Sequence, residues 1–490
     1  MMNKRVSVCA VLVLAAACGS VVSGKPKELQ LATSISAKDK AEGAKAHPEL
    51  LNEFGGAYKG PQAAYVTAVG RKIASQSSLS NVQSDFTVTL LNSSVNNAFA
   101  IPGGYVYITR QLMALCNDEA EMAGVLGHEV GHVAAMHSQR RQKAATRTAI
   151  GGVLLQVLTG AVLGDSTIGG LLQKGIGSGA QLLTLKFSRS QEYEADDLGV
   201  RYLTKAGYDP KALSSMLASL AAQSALDSRA SGQSGTVPEW ASTHPDPASR
   251  VARALQNAKA TGSANTLRNR DPFLNALNGV LYGDDPQQGI VDRARFVHPE
   301  LKIGFTAPTG YGMSNGTSAV SIAGSGGQAQ FTGAAYAGDL DAYVRSAFAA
   351  LAKDGSVSGG TVNRTTVNGI PAAFSTARAN TQSGQVDVTI FAYEMGPQTA
   401  YHFVLLAPAG QGVGPFNAMV QSFRRLSTQE AAAIQPRKIS VVTVKSGDTV
   451  ATLAARMAYN DLKTERFLTL NGLTASSKLS NGQRVKLVTY

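Results

Sequence analysis

The chain has 490 residues, of which 44% are hydrophobic, so it is long and apolar enough for about two to four packed domains. Its formal charge of +12 favours anionic surroundings such as lipid head groups or cell-wall polymer. It has no dense Lys/Arg run and no basic stripe interleaved with aromatics, so no nucleic acid is expected as a partner.

Residues 1–24 read as an export signal. Lys4 and Arg5 form its charged start, and residues 6–17 are an apolar run too short to span a bilayer. Leu14-Ala15-Ala16-Ala17-Cys18 resembles a bacterial lipoprotein box whose usual Leu is displaced by one place. On that reading residues 1–18 are a lipoprotein-type signal and Cys18 carries the lipid, a membrane anchor. The alternative is ordinary cleavage nearby and a soluble secreted form. Cys9 leaves with the signal, so Cys116 is left without a disulfide partner. Its apolar neighbours Leu112, Met113, Ala114 and Leu115 predict a buried, inert thiol.

Residues 19–39 read as a polar tether. The next unit, residues 40–262, holds the densest chemistry. An amphipathic helix is predicted over residues 64–76, with Tyr65, Val66, Val69 and Ile73 on one side. Strands are predicted at residues 86–91, 98–101 and 105–108, the last two joined by Pro102-Gly103-Gly104. A helix over residues 122–137 follows, with Met122, Val125, Leu126, Val130 and Val133 at helical spacing. It carries Gly127-His128-Glu129-Val130-Gly131-His132. His128 and His132 are one turn apart and share a face. Two imidazoles so placed can hold one Zn²⁺ at about 2.0–2.1 Å each, one ion per chain. Glu129 is long enough to reach a water beside that metal and take its proton, the H-E-x-x-H arrangement of zinc hydrolases.

His137 lies five residues after His132. The other major zinc-protease pattern places its third His six residues on, after a Gly turn, so His137 reads as a non-ligand. Residues 148–164 are apolar and uncharged, and are expected to form a buried or lid-like segment over the cleft. Gly-rich residues 168–180 extend that expectation. A second helix then offers Glu192 and Asp196 one turn apart. Glu192 suits the third ligand, and Asp196 can accept the other N–H of a ligand His. Glu194 is the rival ligand, but the residue four places on is Leu198, which cannot support it.

G-H-E-x-G-H-V followed by S-R-x-x-E-x-E-A-D resembles the gluzincins that include the CAAX prenyl endopeptidases, HtpX and the periplasmic beta-barrel assembly-enhancing proteases. The likeness covers roughly residues 40–255. Residues 97–108 also look like the strand pair ahead of the family's zinc helix. The resemblance implies a mainly α zincin-like metallopeptidase domain with a small sheet. It also implies a zinc endopeptidase acting on polypeptide, namely misfolded or stalled envelope proteins, in a bacterial periplasm and attached to the outer membrane. Such enzymes hold an extended substrate along a free strand edge, a role that falls to Asn97, Ala98, Phe99 and Ala100 in this chain. Residues 240–250 resemble the T-H-P-x-P-x-x-R segment of the periplasmic members. That likeness brings His244 toward the zinc, to stabilise an oxyanion or to plug the open position, with Arg250 orienting nearby groups.

Residues 285–430 change in texture. Period-2 runs separated by Gly/Ser/Asn turns, and two helical segments near 339–353 and 414–426, predict an α+β domain with an antiparallel sheet. His298 and His402 are isolated there and read as structural. Residues 440–490 run strand, Gly447-Asp448-Thr449, helix, Asn471-Gly472-Leu473, Asn481-Gly482-Gln483, strand. This looks like a LysM module with βααβ order, which implies binding to peptidoglycan. The tail leaves two competing functions open: a peptidoglycan hydrolase, or a non-catalytic chaperone or wall tether.

Overall fold

The computed structural model describes residues 31–79, 85–141, 187–231, 244, 247–351, 357, 359–381 and 384–490. The expected export signal with Cys18, the stretches 148–164 and 168–180, and most of the loop around residue 244 lie outside the described residues. Among the described residues no helix is long and apolar enough to cross a membrane.

The chain does not run as a tether up to residue 39. Helix α1 (Ala37–Glu53) starts at Ser36, whose hydroxyl accepts from the Asp39 N–H. Its sequence is mostly charged or small, with Pro48 inside it, so little apolar periodicity announces it. A narrow stripe of Gly43, Ala46 and Leu50 is buried. Gly43 sits so close to Pro102 O and the Tyr105 ring that a Cβ there would lie 2.1 and 2.8 Å away. Ahead of the helix, the Ala32 N–H donates to Ala134 O at 2.8 Å. Residues from 31 onward are therefore packed on the body.

Helix α2 (Pro61–Ala74) buries Val66, Val69 and Ile73. It packs on a three-stranded sheet in the order β1 (Thr87–Leu91), β3 (Tyr105–Thr109), β2 (Ala98–Ile101). Strand β1 is parallel to β3 and β2 is antiparallel to it, which leaves β2 at the edge. Helix α3 (Arg110–Leu115) leads to Asp118, whose carboxylate accepts from the Glu121 N–H and starts helix α4 (Glu119–Ala134). A Ser188/Gln191 capping box starts helix α5 (Arg189–Lys205). The two helices approach at backbone distance. A Cβ on Gly127 would lie 3.4 Å from the Gly199 Cα, and one on Gly131 3.2 Å from Ala195 O. Small residues at this crossing bring the His128/His132 face of α4 against the Glu192/Asp196 face of α5. Helices α6 (Ala212–Ser231), α7 (Pro247–Ala260) and α8 (Arg270–Leu277) complete the body.

The central region is three layers deep. Its middle layer is an antiparallel seven-stranded sheet in the order β10 (Asn363–Val367), β11 (Ile370–Thr381), β12 (Gly384–Gly396), β13 (Thr399–Pro408), β9 (Gly327–Ala335), β8 (Ala319–Gly324), β7 (Gly312–Asn315). Helix α9 (Leu340–Leu351) covers one face through Leu340, Tyr343, Val344 and Phe348. On the other face Phe331, Phe391 and Phe403 meet Phe296 and Phe305 of a smaller sheet, β4 (Ile290–Asp292), β5 (Arg295–His298), β6 (Ile303–Thr306) and β14 (Arg424–Arg425). Strand β12 is buried on both faces for this reason, so its centre does not alternate. The second expected helix is a 3₁₀ turn, Gly414–Phe416, followed by the short α10 (Asn417–Ser422).

The last unit runs β15 (Lys438–Thr443), α12 (Val450–Ala455), α13 (Lys463–Leu470), β16 (Arg484–Thr489), after a short α11 (Thr428–Ala432). It is docked on the body and shares its core. Ile439, Leu453, Phe467, Val485 and Leu487 join the apolar cluster built by α2, α4 and α6. Ile439 exchanges backbone hydrogen bonds of 2.8 Å with residues 279 and 280. Lys486 is fully buried, and its ammonium donates to the carbonyls of Ala114, Leu115 and Cys116 at 2.9, 3.3 and 2.6 Å. A helix C-terminus leaves such carbonyls unpaired and favours a cation, and this cation comes from the other end of the chain.

Candidate metal centre

Helix α4 supplies His128, Glu129 and His132, and each is buried. The two Nε2 atoms of His128 and His132 lie 3.0 Å apart. From α5, Glu192 brings Oε2 to 3.7 Å from His128 Nε2 and Oε1 to 3.6 Å from His132 Nε2. An ion held tetrahedrally at about 2.0–2.1 Å from each ligand sets neighbouring ligand atoms about 3.3 Å apart, so these three side chains span an opening of the right size. His244 joins them, its ring centroid 5.3 Å from that of His128 and 5.5 Å from that of His132. One ligand atom from each of His128, His132, Glu192 and His244 lies within 4.8 Å of every other. His244 Nε2 also faces Glu129 Oε1 at 3.5 Å.

The surroundings fit a cation. Glu192 Oε1 is buried and accepts no hydrogen bond among the described residues. Three buried carboxylates, Glu129, Glu192 and Asp196, gather around one guanidinium, that of Arg250. Buried charge of one sign in such excess is costly unless an ion offsets it. Burial pushes Glu129 well above the usual carboxylate range, and the nearby Glu192 adds to the effect. Burial likewise raises Glu192 to about 8 against the pull of Arg250. His132 is driven well below its ordinary value by burial and then by the imidazoles around it, so it stays neutral as a ligand must. A bound divalent ion would reverse the sense for the carboxylates by stabilising their ionised forms.

Each histidine of α4 has its own support. His128 Nδ1 lies 3.0 Å from Asp196 Oδ1. Arg250, on α7, clamps both acids: Nη1 donates to Glu192 Oε2 at 2.5 Å, while Nε and Nη2 hold Asp196 at 2.8 and 2.6 Å. Burial opposes ionisation of Asp196, yet Arg250 and His128 outweigh it and hold the carboxyl at about 2. His132 Nδ1 meets His137 Nδ1 at 2.8 Å. A helix continuous to residue 137 would not allow that contact. The helix ends at Ala134, and Met136 takes a left-handed φ of +53° that turns His137 back onto His132. Phe187 stacks on His132 with centroids 3.9 Å apart. No short motif flags either partner.

The expected strand residues Asn97, Ala98, Phe99 and Ala100 sit at β2, where Ala98 and Phe99 are buried and Ala100 is half-buried. A cavity of about 700 Å³ opens beside it. Ala100–Gly103 line one side and His132, Val133 and Gln139 another. The third wall is Ala32, Ser34, Ile35, Ser36, Lys38 and Asp39, all of which read from sequence as tether, together with Glu42. Cys116 is buried, and burial together with Glu121 pushes its thiol up, so it is an inert group. His402 shares a hydrogen bond of 2.9 Å with the Tyr343 hydroxyl, away from any other ionisable cluster.

Residues 61–258 match the model described as Peptidase family M48, and residues 442–488 match the LysM domain. A beta-barrel assembly-enhancing protease of Yersinia pestis is 31% identical over 229 residues, 45% of this chain and 44% of that protein. The mitochondrial metalloendopeptidase OMA1 of Schizosaccharomyces pombe is 30% identical over 212 residues, 42% of this chain and 57% of that protein. The metalloprotease LoiP of Escherichia coli is 33% identical over 126 residues, 26% of this chain and 47% of that protein. The chain thus matches about half the length of these relatives.

Proposed function

We propose, for a chain that carries a Peptidase family M48 domain at residues 61–258 and a LysM domain at residues 442–488, that it is a zinc-dependent endopeptidase of the cell envelope. The observation that carries this reading is the buried convergence of His128, His132 and Glu192, with Glu129 beside them, in a set short of positive charge. His128, His132 and Glu192 would hold the zinc. When bound, it would supply Lewis acidity that polarises a scissile carbonyl and makes a water acidic near neutral pH.

The chain's own groups do the rest. Glu129 takes the proton of the attacking water and delivers it to the departing amide nitrogen. Its raised proton affinity before the ion enters suits a group that must hold a proton in mid-reaction. Asp196 orients His128 through Nδ1, and Arg250 keeps Asp196 and Glu192 in place. The substrate would lie extended along β2, in the cavity beside His132. Envelope proteins, misfolded or stalled, are the substrate class, supported by the relatives' names and by the signal-like first 24 residues. Lipidation at Cys18, an outer-membrane periplasmic location and a grip on peptidoglycan through the LysM domain belong to the same proposal.

Zinc content and casein cleavage, measured on wild type, Glu129→Gln and His244→Ala, test it. Wild type should hold one zinc per chain. Glu129→Gln should keep the zinc and lose about 10²–10⁴-fold in cleavage. Higher cleavage in His244→Ala identifies a plug over the fourth position, and lower cleavage identifies a group that serves the reaction. Zinc-loaded wild type that releases muropeptides from sacculi and cuts no protein would replace the endopeptidase with a wall hydrolase.

A further inference from the structure

The support behind His132 is chemically unlike that behind His128. We propose, resting on the zinc reading above, that His137 is a positioning residue for the metal centre, with Glu194 and Arg140 as the next links.

Donors and acceptors must match along the line. His132 can offer its Nε2 lone pair to an ion only if its proton sits on Nδ1. The atom facing that Nδ1, at 2.8 Å, is His137 Nδ1. His137 must then accept there, so its own proton sits on Nε2. That atom lies 3.3 Å from Glu194 Oε2. Arg140 donates to both Glu194 oxygens at 3.0 and 2.9 Å and fixes the acceptor in place. This proton placement pairs a donor with an acceptor between the two rings and sets an N–H 3.3 Å from the Glu194 carboxylate, close enough for an ion-pair contact though outside hydrogen-bond geometry. The reverse placement would leave His132 with its proton aimed into the centre.

The backbone is built for the same end. The left-handed turn at Met136, an uncommon conformation for a non-glycine residue, is what folds His137 back over the last turn of α4. Gln191 of α5 donates to His137 O at 3.2 Å and ties that turn to the helix that carries Glu192. His137 is fully buried, which leaves its Nδ1 no water to bond in place of His132.

The experiment compares full-length wild type with His137→Phe, His137→Gln and Glu194→Gln. Zinc affinity is measured by competition with a chromophoric chelator, and the visible spectrum of the Co²⁺-loaded chain is recorded. Melting of each metal-free chain checks the fold. His137→Phe keeps a ring edge-to-face with His132 and removes the acceptor, and should bind zinc about 10–100-fold more weakly with an altered Co²⁺ spectrum. His137→Gln can accept from His132 through its side-chain oxygen and should recover most of that loss. Glu194→Gln should lose several-fold. His137→Phe with wild-type zinc affinity and Co²⁺ spectrum overturns the proposal. If His137→Phe does not fold, Glu194→Gln decides alone: weaker zinc supports the line, and unchanged zinc overturns it. Wild type that binds no zinc overturns the metal reading itself, a result distinct from any of these.

Discussion

His132 and His402 are both buried histidines whose protonation burial discourages, and they do unlike things. His402 lies in the sheet of the central region, between Tyr343 and apolar side chains, with one hydroxyl as its nearest polar side-chain partner. Its contact closes on itself. His132 stands among three other imidazoles and the carboxylates of Glu129 and Glu192, one Glu192 oxygen being orphaned, and its Nε2 lies where those groups converge. Burial and a depressed pKa therefore do not mark a site. Convergence of unneutralised charge does.

The sharpest way to break that contrast is to remove the charge that holds the convergence together. Arg250→Leu leaves Glu192 and Asp196 buried without their guanidinium, and should destabilise the metal-free chain by about 3–5 kcal/mol in urea unfolding. A loss below about 1 kcal/mol would mean that the acids find other partners. In the central region the matching test is His402→Gln. His402 titrates near 4 in the folded chain and near 6.5 unfolded, so between those values the unfolded chain binds more protons. His402 should therefore take up to about 3 kcal/mol from the stability as pH drops from about 6.5 to 4, and His402→Gln should remove that share of the slope, leaving the share of His132, His137 and the other buried histidines, without changing zinc content. An unchanged slope would show that His402 contributes none of it. The gentlest test is Asp196→Asn. It keeps the shape beside His128 and exchanges the carboxylate for an amide, which should weaken zinc by about 10–100-fold in chelator competition.

The same contrast explains what could be read from the letters. His128, His132, Glu192 and Asp196 were legible because each pair repeats at one helical turn, and period is a property of sequence. His137 was legible as a non-ligand and no more. Its position depends on one left-handed residue, Met136, whose side chain gives no warning of that conformation. Helix α1 was missed because its buried stripe is Gly43, Ala46 and Leu50, too narrow and too small to stand out among lysines and glutamates. The sheet of the central region was visible in its turns, while the double burial of β12 blurred its alternation. The docking of the last domain was invisible for a plainer reason. Its key contact is a lysine, the residue type least expected in a core.

Lys486 under the end of α3 has a geometric consequence. A binding module on a flexible leash lets its enzyme sweep a volume set by leash length. A module that shares the peptidase's core has no leash. If that module grips glycan, the cleft beside β2 is carried at one height and one tilt above the wall. The protein would then act as a gauge, trimming only what projects to that height and leaving shorter or deeper chains alone.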